Sequence, residues 1–493
     1  MGIIQRQSIK GFIYTYLGVI IGFITTGYLM PKYLQQSEIG LLRVLVSYST
    51  LLAQFSSLGF SIVAIRMFPY FRDSSTRNHG FFGLFSIIAS VGIFISMIAF
   101  FLYYQFYLKT DISELLQHYI IWVFPLTTFI LLFTLTDSYT RAQYDAILGT
   151  IAKELVQRIF ILIAIILFIL GNTSLDGLVA AYIIAFAIPP AILLYSLIKN
   201  KTIGLVPDFK FIDNNLRRKI IGVSIFGLIS SFSNILVLNI DVLMLERYLD
   251  LSATGIYSIA FFFGTLVLIP SRPLTRISAI IVADSFKKND IKNIDLIYKK
   301  SSINLTVIGL LLFLGLAINM ENIISLIGED YRSGYYVILF IAFANVIQMS
   351  SGVLNQVIFN SDYYRYSSYF ILIYAIIIII TNILLIPKYG ITGAAIATLI
   401  SKLIYISSRI LFVKYKLQLY PYQLKTLIPI AITGFLYCIQ TLIPAFDNYL
   451  LDICIRSSLI AISFGLFIYA LKVSEDINEW IKKLIHTFYQ LKR

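Results

Sequence analysis

Three cations interrupt long apolar runs: Lys402 in ITGAAIATLISKLIYISSRI, Arg272 between Pro270 and Pro273, and Arg43 just beyond YLQQSEIG. An ionisable side chain in hydrocarbon is costly unless it faces a cavity or a partner, so each marks a hydrated cavity or an ion pair. Counted from Gly390, Lys402 lies roughly 18 Å along a helix in a ~30 Å core, too deep for easy escape to either surface. Arg272, roughly 25 Å from Gly255 on the same count, sits where two prolines free backbone groups, and reads equally as a cavity cation or as an anchor at the membrane surface. Arg43, about one turn inside its span, reads as a snorkelling side chain or a ligand contact. Two carboxylates near span ends, Asp241 and Asp137, can pair with a cation or carry a coupling proton.

Amides and hydroxyls collect in two further stretches. Asn234 and Asn239 stand among Ser230, Ser231 and Ser233, while Asn345, Gln348, Asn355 and Gln356 flank Ser350 and Ser351. Such groups suit the hydroxyl-rich surface of a sugar, and they equally suit hydrogen bonds between helices. Enzymatic constellations are scarce. The three histidines, His79, His118 and His486, are scattered, and the acids of the short polar loops (Asp111 with Glu114, and Glu321, Glu329 and Asp330) read as solvated. No glycine-rich loop followed by Lys-Ser or Lys-Thr occurs to cradle a nucleotide. Catalytic residues, a metal site and a cofactor are therefore not expected, and Cys438 and Cys454 imply no disulfide framework.

The elements that must position these side chains are membrane helices. A chain of 493 residues that is 58% hydrophobic and 13% charged has too much apolar surface for a soluble core. Its apolar runs divide into about fourteen spans of the length that hydrocarbon requires, the first retained rather than cleaved. The net charge of +14 follows orientation: roughly thirty of the 39 basic residues fall on one side of this layout, which places both termini in the cytoplasm and removes nucleic acid as the explanation.

The pattern Tyr-Leu-x-x-Ser-x-x-Gly occurs twice, as Tyr33, Leu34, Ser37, Gly40 and as Tyr248, Leu249, Ser252, Gly255. Gly177, Leu178, Ala180, Ala181 and Ile183 recur as Gly390, Ile391, Gly393, Ala394 and Ile396 at nearly the same displacement. A unit of six spans repeated in parallel follows, related by an axis along the membrane normal. The expected fold is all-α and integral to the membrane: an N-lobe over 1–200, a linker and C-lobe over 201–416, and two appended spans with an interfacial amphipathic helix over 417–493. The segment from Lys199 to Lys219 reads as a solvated basic linker. Phe286, Ile291, Ile294 and Ile297 read as one face of a surface helix.

The pieces PKYLQQSEIGLL, NIDVLMLERYLDLSATGIYSIAFFFG, GEDYRSGYYVILFIAFANV and PKYGITGAAIATLIS resemble polysaccharide biosynthesis flippases of the multidrug/oligosaccharidyl-lipid/polysaccharide exporter superfamily. The resemblance implies a MATE-like fold of two six-helix lobes around a central cavity, with two helices packed outside. It implies an undecaprenyl-diphosphate-linked oligosaccharide as substrate, moved across the bacterial cytoplasmic membrane by alternating access for surface polysaccharide biosynthesis. Lys402, Arg272 and Arg43 would then offset the diphosphate charge, with the membrane lipids around the chain holding the prenyl tail. Glycan polymerase and chain-length machinery are the partners implied. Peptidoglycan precursor flippases of this fold place arginines in their first, second and eighth helices, and span 1 here has none inside it. That precursor and drugs are alternative substrates; a membrane enzyme such as a polysaccharide polymerase is the remote alternative.

Overall fold

The computed structural model describes residues 3–73, 76–108, 113–145, 147–200, 203–440, 446–480 and 482–483. Every regular element among them is helical, as hydrocarbon demands of a chain whose backbone groups must be satisfied within each segment. Eleven of the described helices are long and apolar enough to cross a membrane. The difference from fourteen has physical causes. The stretch expected as span 5 is built from Ile147–Thr150, a π-helical Ile151–Val156 and Gln157–Ile169. Spans 11 and 12 are joined in one 52-residue helix, Tyr366–Leu417, broken at Gly390, whose φ of 57° and ψ of −137° lie outside helical values. Leu427–Ile439 is short and ends beside undescribed residues. The expected interfacial helix at the C-terminus lies mostly outside the described residues.

The chain divides into two compact units, Met1–Ser258 and Ile259–Arg493. The core of the first is aromatic: Phe68, Phe71, Phe81, Phe85 and Tyr139 are all buried together. Phe68 meets Tyr139 edge-on at 5.3 Å, a preferred geometry for two ring quadrupoles. Arg158 is held inside this unit by Glu154 at 2.7 Å and by the Gly18 carbonyl at 2.6 Å.

The linker departs from its solvated reading. Asp208 and Phe211 are fastened to the turn before the Phe81–Tyr103 helix: the Asp208 amide donates to the His79 carbonyl, and the Phe211 and His79 rings stack at 3.7 Å. Gly83 likewise donates its amide to Gly204. The linker is basic in composition, but Phe211 gives it a packed contact that charge counting passes over, while Phe209 stays exposed.

In the second unit, Leu427–Ile439 and Tyr449–Ala470 lay Ile432, Leu436, Ile460 and Phe464 against Leu305, Leu310 and Leu314 of the Ile291–Ile318 helix. Polar ties fix the end of this packing: Asp452 pairs with Arg456 at 2.7 Å and accepts from Asn322 at 2.5 Å. The surface helix expected across Phe286 and Ile297 is two helices, because Asn289 takes a φ of 54° and Asp290 caps the next helix through the Asn293 amide.

Candidate transport site

The first unit assembles a cation, phenols and a carboxylate. Arg43 rides on Gln36–Ser56, a helix started by a capping box in which the Gln35 amide donates to Glu38 at 2.8 Å. The side chain is half-buried, with the Tyr182 and Tyr257 hydroxyls as electrostatic neighbours. Tyr257 is fully buried and donates a 2.6 Å hydrogen bond to Asp241 Oδ2. Asp241 lies on Asn214–Tyr248, the helix preceding that of Tyr257, so the turn between them brings the pair together. Charge is thus compensated in part through a phenol.

Asp137 is placed otherwise. It pairs with Arg141 one turn on, at 2.7 Å, and a Cβ at Gly149 would collide with its Oδ1. Of its two sequence readings, the ion pair is the one this geometry fills.

In the second unit Lys402 donates to Asn345 Oδ1 at 2.8 Å, and Asn345 Nδ2 donates to the Gly264 carbonyl at 3.0 Å. Three helices are joined by this chain: Tyr366–Leu417, Tyr335–Ser350 and Leu251–Thr265. Asn345 is 1% exposed, so its amide is spent on both contacts while the Lys402 charge stays half-buried. Arg272 is not part of that chain; it is exposed on Ser271–Lys287, past the end of the Leu251–Leu268 span. Asn239 is buried and turned onto the Ile235 carbonyl of its own helix at 2.8 Å. Asn234, Gln348 and Asn355 are exposed, and Gln356 is partly buried with an Oε1 that has no hydrogen-bond partner among the described residues.

Three buried ionisable residues escaped the sequence reading: Asp452, paired with Arg456 as described above, Glu246 and Arg409. Glu246 is 5% exposed, with Tyr48 among its electrostatic neighbours and an Oε2 lacking a hydrogen-bond partner among the described residues. Its position beside Arg247 near a helix end disguised it as an interfacial charge. Arg409 is 3% exposed; its Nη1 donates to Tyr405 Oη at 3.0 Å and its guanidinium lies 4.9 Å from that ring. The Tyr-x-x-x-Arg spacing carried this signal, since residues four apart meet on a helix.

The family model described as polysaccharide biosynthesis protein matches residues 8–278. The probable low-salt glycan biosynthesis flippase Agl15 of Haloferax volcanii is 22% identical over 292 residues, which span 56% of this chain and 60% of that relative. Among solved structures, the lipid II flippase MurJ in an inward closed conformation superposes with a TM-score of 0.73 at 15% identity, covering 94% of this chain and 99% of that one. An inward-facing multidrug resistance MATE family transporter superposes with a TM-score of 0.62 at 13% identity, covering 82% and 94%. These structural likenesses show a MATE-like fold.

Proposed function

Since the chain belongs to the polysaccharide biosynthesis protein family, we propose that it is a flippase for a lipid-linked oligosaccharide. The substrate is an undecaprenyl-diphosphate-linked repeat unit, carried across the bacterial cytoplasmic membrane by alternating access for surface polysaccharide biosynthesis. Both termini face the cytoplasm, and the enzymes that polymerise the glycan receive the product. The observation that carries this reading is the retention of Lys402, half-buried among apolar helices and oriented by Asn345. A cation is costly there, and an anionic diphosphate offsets it through charge-assisted hydrogen bonds. Arg43, with Tyr182 and Tyr257 as electrostatic neighbours, is a further cation of the first unit. Exposed amides such as Gln348 and Asn355 serve the sugar.

The test is reconstituted transport. Proteoliposomes carry a lipid-linked oligosaccharide, and its arrival in the opposite leaflet is followed with an impermeant glycosidase. Acceleration by wild type that falls in Lys402→Ala, with insertion unchanged, supports the reading; no acceleration with any lipid-linked glycan overturns it. Similarity of fold to a lipid II flippase favours the peptidoglycan precursor as the second substrate reading, and the same assay run with that precursor decides between them.

A further inference from the structure

A groove of about 560 Å³ opens on the first unit, away from Arg43 and Asp241. Its floor and walls are apolar: Phe60, Leu84 and Ile88 on one side, Ile221 and Ile225 of the Asn214–Tyr248 helix on the other. Ile221 and Ile225 are 48% and 56% exposed, which suits hydrocarbon and not water. The polar end is Arg217, an exposed guanidinium with no ion-pair partner among the described residues. From Arg217 to Ile225 the helix rises roughly 12 Å, so the groove passes from one cation to apolar depth within two turns.

The charge balance at that end is positive. Arg218 and Lys219 follow Arg217, with the Lys219 ammonium 5.7 Å from the Tyr70 ring. The two nearby carboxylates of the linker are already engaged: Asp213 accepts from the Leu216 amide at 2.7 Å, and Asp208 meets His79 at 3.4 Å. The linker wall, Phe209 and Ile212, is built rather than loose, because Phe211 between them is stacked on His79.

We propose that this groove binds one anionic phospholipid of the surrounding bilayer, with its phosphate on Arg217 and one acyl chain along Ile221 and Ile225. The volume falls within the range of ligand sites, about 300–1,000 Å³. A headgroup phosphate satisfies the guanidinium bidentately, and a zwitterionic lipid brings a like-charged amine to the same cluster. The lipid would thereby brace the linker wall against the helix it precedes.

The full-length protein, stripped of lipid in detergent, is titrated with phosphatidylglycerol or phosphatidylcholine of identical chains, and retained lipid is counted by native mass spectrometry. Wild type should retain phosphatidylglycerol over phosphatidylcholine by roughly fivefold, the ratio one interfacial cation supplies. Arg217→Lys should keep the preference and Arg217→Gln should abolish it. Ile225→Trp, which fills the groove without touching the charge, should lower retention of both lipids. Equal retention of the two lipids by wild type, or an undiminished preference in Arg217→Gln, overturns the proposal. So does displacement of phosphatidylglycerol by an equal mole fraction of a polyprenyl phosphate, which would give the groove to the carrier lipid instead.

Discussion

Gly40 and Gly255 cross reciprocally: a Cβ on Gly40 would strike the Leu251 carbonyl oxygen, and a Cβ on Gly255 would strike that of Gln36. Each glycine thus meets the first residue of the helix bearing the other, Gln36–Ser56 or Leu251–Thr265. The two copies of Tyr-Leu-x-x-Ser-x-x-Gly are therefore in contact through their last residue, and the crossing is symmetric in sequence as well as in space. Close backbone approach through small residues is how helices associate where lipid supplies no hydrophobic drive.

Adding one methyl at this crossing should be felt. Gly40→Ala and Gly255→Ala are each expected to destabilise the protein by about 1–3 kcal/mol, the cost of overpacking a well-fitted contact. Gly222→Ala, where an added Cβ meets nothing within 4 Å, should change stability by less than about 0.5 kcal/mol. Thermal melting of the three variants in one detergent makes the comparison. A Gly40→Ala protein as stable as Gly222→Ala would remove the crossing from the account.

How much of this was legible in the sequence depends on the range of the contact. The repeat pointed to Gly40 and Gly255 as equivalent, but equivalence does not predict touching; only the fold brings them together. Lys402 was legible because depth in an apolar helix can be counted, and its partner Asn345 was legible only as one amide among several. Arg272 was legible as a cavity cation or a surface anchor alike, and its exposed place on Ser271–Lys287, past the end of the span, suits the anchor reading. Glu246 and Arg409 stand beside other charges near span ends, where sequence gives no sign of burial; neighbouring helices bury them both.

The linker latch gives a pH dependence. The hydrogen bond with His79, with smaller help from the Phe211 and Lys210 amides, holds the Asp208 carboxyl below its usual range. A depressed folded value means that the stabilising contribution is fully present above the unfolded value, about 3.9, and is lost as pH falls through the folded one. Asp208→Asn should therefore lower the melting temperature at pH 6 and lose its effect in acid, once the folded carboxyl is protonated. The measurement is the wild-type minus variant difference across that interval; a difference independent of pH would assign the loss to packing of Phe211 instead.

Tyr257 and Asp241 form the buried pair of the first unit, and their two halves are not equivalent. Tyr257→Phe removes the donor of a buried hydrogen bond to a carboxylate, which should cost about 1–3 kcal/mol. Asp241→Asn keeps an acceptor for the phenol and should cost less. Equilibrium unfolding by a denaturant that leaves micelles intact reads both. Were Asp241→Asn the more damaging variant, the carboxylate charge itself would be what the site preserves.

Lys402 and Asn345 make the sharpest test of the second unit, because the amide bridges the cation and the Gly264 carbonyl. Removing either side chain already breaks the bond that the two share, so the second removal adds less once the first is made. Residues sharing one hydrogen-bond chain couple by about 0.5–3 kcal/mol in a double-mutant cycle. Lys402→Met and Asn345→Leu should accordingly be less damaging together than the sum of their separate effects on stability. Transport should behave differently: Lys402→Met removes the charge proposed to meet the substrate, so it should abolish flipping both alone and combined with Asn345→Leu. Strict additivity in stability would mean that the two side chains act independently, and unimpaired flipping by Lys402→Met would return the lysine to a structural role.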